Sequence, residues 1–177
     1  MKQTVLLVAL TGILCLFARA ASVGAAVQAT PNFTGTWEFT GKGGPRKNQL
    51  LVIEHSGDEL NLLESFEFEK KPFSRSLKLY SDKRGERNWI AVPGGDSKIE
   101  VESETFWKKD KLIRRSSFNE NIVSPVGRFS VAHKLTETFS LSKDGSTLIV
   151  KLAGSTESPL EQTPRMYLDK KTYRRKF

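Results

Sequence analysis

The chain has 177 residues, a formal net charge of +8 from 28 Lys and Arg against 20 Asp and Glu, and a single cysteine. That length allows one domain with a sizeable core. One cysteine excludes an internal disulfide framework and a cysteine-built metal site, so packing has to hold the fold together.

The first residues read as a targeting segment. Lys2 supplies a positive start, Val5 to Phe17 is mostly apolar, and Ala18-Arg19-Ala20 fits a small-x-small cleavage site. The apolar run is shorter than the roughly 20 residues that a spanning helix needs, and no later run replaces it. Cys15 lies inside this run behind Gly12-Ile13-Leu14, where a lipoprotein signal wants a small residue in place of Leu14. Residues 1–20 are therefore expected to be a signal peptide, 21–31 a flexible lead of small residues, and 32–177 a single β-barrel domain that is secreted or periplasmic. Losing Lys2 and Arg19 with the signal leaves 26 basic against 20 acidic side chains, +6.

From Asn32 to Phe39 the chain alternates, with Phe33, Gly35, Trp37 and Phe39 on one side and Thr34, Thr36 and Glu38 on the other, the pattern of a strand with one buried face. Gly41 to Pro45 is a glycine-rich turn. It lacks the Gly-Lys-Ser/Thr closure and following helix of a phosphate loop, and reads as a connection. Asn48 to His55 is a second strand, Ser56-Gly57-Asp58 a turn, and Leu60, Leu62, Phe66 and Phe68 mark one face of a third strand. Leu and Glu also suit a helix over Glu59 to Glu69, but the hairpin signal and the phenylalanine spacing favour the strand.

Further strands follow at Phe73 to Tyr80 and, after a charged turn at Asp82 to Glu86, at Trp89 to Val92. Ile99, Val101, Ser103, Thr105 and Trp107 then alternate with glutamates and Phe106, and a turn near Lys109-Asp110 leads into Leu112 to Phe118. Asn119 to Gly127, containing Pro125, reads as a longer loop. The final hairpin carries Val131, His133, Leu135, Glu137, Phe139 and Leu141 on one side, turns at Lys143-Asp144-Gly145, and returns through Leu148, Val150 and Leu152. Gly154 to Pro164 reads as a loop and Tyr167 to Phe177 as the closing strand.

About ten short strands with no convincing helix after the signal indicate an all-β fold. A meander closed into a barrel of about 8–10 antiparallel strands buries one face of each and covers both edges. A two-layer sandwich gives the same alternation. Gly35-Thr36-Trp37 resembles the Gly-x-Trp signature on the first strand of the lipocalin-like superfamily. The resemblance implies that Trp37 closes one end of the barrel beside Gly35, with Arg174 or Arg175 of the last strand over its ring. The chain is also similar to small exported bacterial proteins of unknown function that join a Gly-Thr-Trp start to a late Leu-Ser-x-Asp-Gly-x-x-Leu hairpin, here Leu141 to Leu148.

Chemistry is thinly marked. His55 and His133 each have a glutamate four residues on, Glu59 and Glu137, but on a strand that spacing is about 13 Å, too far for one metal. No Gly-x-Ser-x-Gly elbow occurs. Lys and Glu are mixed over Glu67 to Lys71 and Lys98 to Lys111, which breaks any continuous track for nucleic acid. Glu137 stands out because it shares an apolar face with Leu135 and Phe139 and needs a partner there, with Arg114 or Arg115 across the neighbouring strand as candidates.

The expected function is that of an exported, non-enzymatic binding module for a small apolar or amphipathic ligand, with no cofactor, metal or membrane span. Trp37, Phe39, His133, Leu135, Glu137, Phe139 and Leu148 are its candidate ligand-binding residues. The alternative is a packed structural or protein-interaction module of the cell envelope. Its basic C-terminal strand, with Arg165, Lys170, Lys171, Arg174, Arg175 and Lys176, would meet an anionic envelope component or protein partner.

Overall fold

The computed structural model describes residues 30–41, 46–91, 97–125 and 127–177. The expected signal peptide with Cys15, most of the lead, and the turn residues at 42–45 and 93–95 lie outside the described residues. The remainder forms ten strands: β1 (Gly35–Phe39), β2 (Arg46–Ser56), β3 (Glu59–Phe68), β4 (Lys71–Tyr80), β5 (Glu86–Ala91), β6 (Lys98–Lys108), β7 (Lys111–Ser124), β8 (Gly127–Leu141), β9 (Thr147–Glu157) and β10 (Arg165–Lys176). They make one sheet in the order β4-β3-β2-β1-β10-β9-β8-β7-β6-β5, antiparallel at every pairing. Apart from the join of β1 to β10 and the step from β4 to β5, which is not paired, each strand pairs with its neighbour in sequence. This is a nearly closed barrel of lipocalin-like meander topology.

The ring is closed between β4 and β5 by side chains instead of a backbone ladder. Asn88 on β5 accepts from the Lys78 amide through Oδ1 (2.8 Å) and donates from Nδ2 to the Lys78 carbonyl (3.1 Å). Glu86 accepts from the Tyr80 amide (2.7 Å) and from Ser103 Oγ (2.8 Å). The first two inward residues of β5 are polar because they have backbone to satisfy, while Ile90 beyond them packs on the core. This corrects the expected strand at Trp89 to Val92: the strand begins at Glu86, within the expected turn, and Trp89 points outward, 61% exposed. Replacing Asn88 by alanine removes both bonds and leaves the part-buried amide and carbonyl of Lys78 unpaired. It should cost about 1–3 kcal/mol and raise hydrogen exchange at the Lys78 amide ahead of the Tyr80 amide, which Glu86 still holds.

Two expected loops are also corrected. Asn119 to Gly127 continues the β7–β8 ladder, pairing Asn119 with Ala132, Ile122 with Phe129 and Ser124 with Gly127, and leaves Pro125 at the tip where no amide donor is needed. The loop expected from Gly154 begins only after Glu157. A Cβ on Gly154 would stand 2.5 Å from Cζ of Tyr167, so glycine there lets the ring lie across β9. The β8–β9 turn has a local cause as well. Asp144 accepts from Ser142 Oγ (2.5 Å), Ser146 N (3.1 Å) and Ser146 Oγ (2.8 Å), bonds led by Ser142 that draw its pKa down to about 2. Gly145 supplies the positive φ of 69°.

Candidate functional site

The inward rows repeat one order along the barrel. From the end where β2 turns into β3, β3 presents Leu60, Leu62, Glu64 and Phe66, and β4, running the other way, presents Leu79, Leu77, Arg75 and Phe73. β7 presents Leu112, Arg114, Ser116 and Phe118, and β8 presents Phe139, Glu137 and Leu135. Antiparallel pairing aligns these rows into an apolar plug, a polar belt above it, and an aromatic mouth. Phe33, Trp37, Ile53, Leu60, Leu79, Leu112 and Leu148 are buried in the plug. Above it lies a cavity of about 850 Å³ with the belt near its floor.

One wall of the belt is organised by Glu64, which is 7% exposed. It lies opposite Leu51 on β2 and Arg75 on β4. Arg75 Nε and Gln49 Nε2 both donate to its carboxylate, Arg46 Nη1 lies 3.6 Å away and Lys171 Nζ 3.9 Å away. Gln49 Nε2 also reaches the Tyr173 hydroxyl oxygen at 3.0 Å. Burial pushes the Glu64 carboxyl up, but Arg75, Lys171 and Arg46 together outweigh it and hold its pKa below the ordinary glutamate value. Burial lowers the pKa of Lys171 against the pull of Glu64, lowers that of Arg46, and raises that of the Tyr173 phenol. Three cations thus face one carboxylate.

Arg46 and Gln49 share this wall through a backbone irregularity. Strict alternation would put them on opposite faces, but the register shifts between Lys47 and Leu50, with Asn48 at a φ of 52°. The extra residue turns both inward and sets the Arg46 guanidinium 4.5 Å from the centroid of the Phe66 ring.

On another part of the belt, Arg114 donates from Nη1 to Glu137 Oε2 at 2.8 Å across the β7–β8 ladder. Arg115 instead faces outward to Glu104. The Nε and Nη2 of Arg114 and the hydroxyls of Ser116 and Thr105 are buried without a protein partner.

Of the residues singled out from sequence, Phe39, Leu135, Glu137 and Phe139 line the cavity, while Trp37 and Leu148 lie beneath it in the plug. His133 sits beside the mouth, stacked on Phe118 with ring centroids 4.5 Å apart. Its Nδ1 is 3.3 Å from Thr156 Oγ1 and its Nε2 3.3 Å from Glu120 Oε2. At the plugged end Trp37 Nε1 donates to the Phe33 carbonyl (3.0 Å), and the Arg175 guanidinium lies 4.6 Å from the indole centroid. Gly35 leaves room beside that pair, and Arg174 is exposed. Glu64, Arg75, Gln49, Arg46 and Tyr173 were not singled out as a site from sequence, and Lys171 was named only within the basic C-terminal strand, as a contact for an outside partner. For Glu64 the signal was present, because it falls in the same alternating row as Leu62 and Phe66.

Among the described residues no group of three or more His, Cys, Asp or Glu side chains is placed to hold a metal ion, and no helix is long and apolar enough to cross a membrane. A scan against protein-family models and a search of curated proteins each return no match. The class is set by architecture: an all-β, nearly closed antiparallel barrel, a shape that suits a ligand-binding or a structural module.

Proposed function

We propose that this protein is an exported, non-enzymatic binding module that takes a small amphipathic molecule into the barrel, head group first. One observation carries the reading: a cavity of about 850 Å³ whose floor is polar with an excess of cations and whose mouth is lined by Phe66, Phe73, Phe118 and Leu135. Ligand pockets span roughly 300–1,000 Å³ and pair apolar walls with a few convergent polar groups. The cations at Arg46, Arg75 and Lys171 suit an anionic head, and the aromatic mouth suits an apolar body.

Calorimetric titration with dodecanoate and with dodecyltrimethylammonium tests this. Dodecanoate should bind saturably at one site per chain, and the cationic amphiphile at least about tenfold more weakly, because charge complementarity selects between heads of similar tail. Equal binding of both would overturn selection by charge. If neither bound, the interaction-module reading would stand in its place. That reading is favoured by the outer face of β10, where Met166, Leu168, Lys170, Arg174 and Lys176 are all exposed.

A further inference from the structure

We infer that the head group is bifunctional: an anion held by Arg46, Arg75 and Lys171 on one wall of the belt, and an uncharged carbonyl oxygen held by Arg114 and Ser116 on the opposite wall. The inference rests on the proposed function and adds to it the chemical class of the ligand.

Arg114 is 4% exposed and lines the cavity. One of its terminal nitrogens is engaged by Glu137, whereas Nε and Nη2 have no protein partner. Ser116, two residues along the same face of β7, also lines the cavity with an unpartnered hydroxyl, and Thr105, directly across the β6–β7 ladder from Arg114, carries another. A guanidinium only donates, so the group that completes this corner must accept. Buried donors without a partner are costly, which makes them strong selectors once an acceptor arrives.

Charge decides what kind of acceptor fits. Glu137 at 2.8 Å already balances Arg114, so a second carboxylate at this corner would be repelled by the first, and an amide or ester carbonyl would not. The surplus cations are elsewhere, on β2, β4 and β10 around Glu64. In the strand order β7 stands five positions from β2 whichever way the ring is followed and three from each of β4 and β10, so Arg114 lies across the ring from the middle of the cation cluster. An acyl amino acid, with its carboxylate and amide carbonyl in the belt and its acyl chain toward the mouth, has this pattern.

The test compares N-dodecanoylglycine with pentadecanoate, which has the same chain length and a carboxylate but no amide. The acylglycine should bind about tenfold more tightly, the yield of a hydrogen bond to a charged donor. Arg114→Lys keeps a cation beside Glu137 but removes the two spare donors, and Ser116→Ala removes the hydroxyl without changing charge. Each should cut the preference, to within about twofold in Arg114→Lys. Should Arg114→Lys fail to fold, Ser116→Ala decides. Saturable binding of both ligands with equal affinity, or a preference that survives the variants, overturns the bifunctional head while leaving the proposed function standing. Binding of neither overturns both.

Discussion

Replacing Glu64 by leucine should lower unfolding free energy by about 3 kcal/mol, because it strands three part-buried cations without their counter-charge. Arg75, Arg46 and Lys171 converge on that carboxylate, and Gln49 loses one of its two acceptors with it. The side chains of Arg46, Arg75 and Lys171 are 32%, 25% and 26% exposed, so they can turn toward water, which keeps the loss from being larger. Urea denaturation measures the loss, and the double variant Glu64→Leu/Arg75→Leu should recover part of it. A single variant within about 1 kcal/mol of the parent would contradict the role of Glu64 as counter-ion.

The same residue makes stability depend on acid. Its pKa is lower in the folded state than in the unfolded chain, so its contribution is fully present above the ordinary glutamate value of about 4.3 and disappears as pH falls through the folded value. Melting temperatures followed from about pH 7 to about pH 3 should therefore fall less steeply in Glu64→Leu than in the parent protein.

Trp37→Ala is the second large expected loss, about 3–5 kcal/mol, from a cavity in the most tightly enclosed part of the barrel. Trp37 is 0% exposed and packs within the same core as Phe33, Ile53 and Leu148. Arg175→Met should cost less, about 1 kcal/mol, since it removes the cation from the ring and keeps much of the side-chain bulk. Thermal denaturation of the two variants should rank them in that order. The reverse order would mean that the cation, and not the enclosed indole, secures the closed end.

The alternation of apolar residues was enough to read an all-β antiparallel fold of about ten strands; a two-layer sandwich gives the same pattern, and the barrel was preferred because closure covers both edges. Where the reading fell short, the interior is polar. Glu64 occupies an apolar row, yet it was passed over while Glu137, in the same situation on β8, was singled out. Arg46 and Gln49 were out of reach because the shift at Lys47 to Leu50 breaks the period that assigns faces. Glu86 was read into the turn and Asn88 was left outside the strand because strands are usually recognised by inward hydrophobic residues, and these two face the backbone of β4. The ladder from Asn119 to Ser124 was missed for a related reason: backbone pairing carries a long hairpin through residues with little apolar content.

The join between β1 and β10, where Thr36 pairs with Lys176 and Phe39 with Tyr173, also governs how the protein can be made. A chain still on the ribosome can form its hairpins one after another, but the tube stays unsealed until the tenth strand has emerged. Contacts so distant in sequence place folding on the slow, millisecond-to-second side of small proteins. β10 is in this sense a latch, and a nascent chain cut before Arg165 would leave β1 and β9 as unpaired edges.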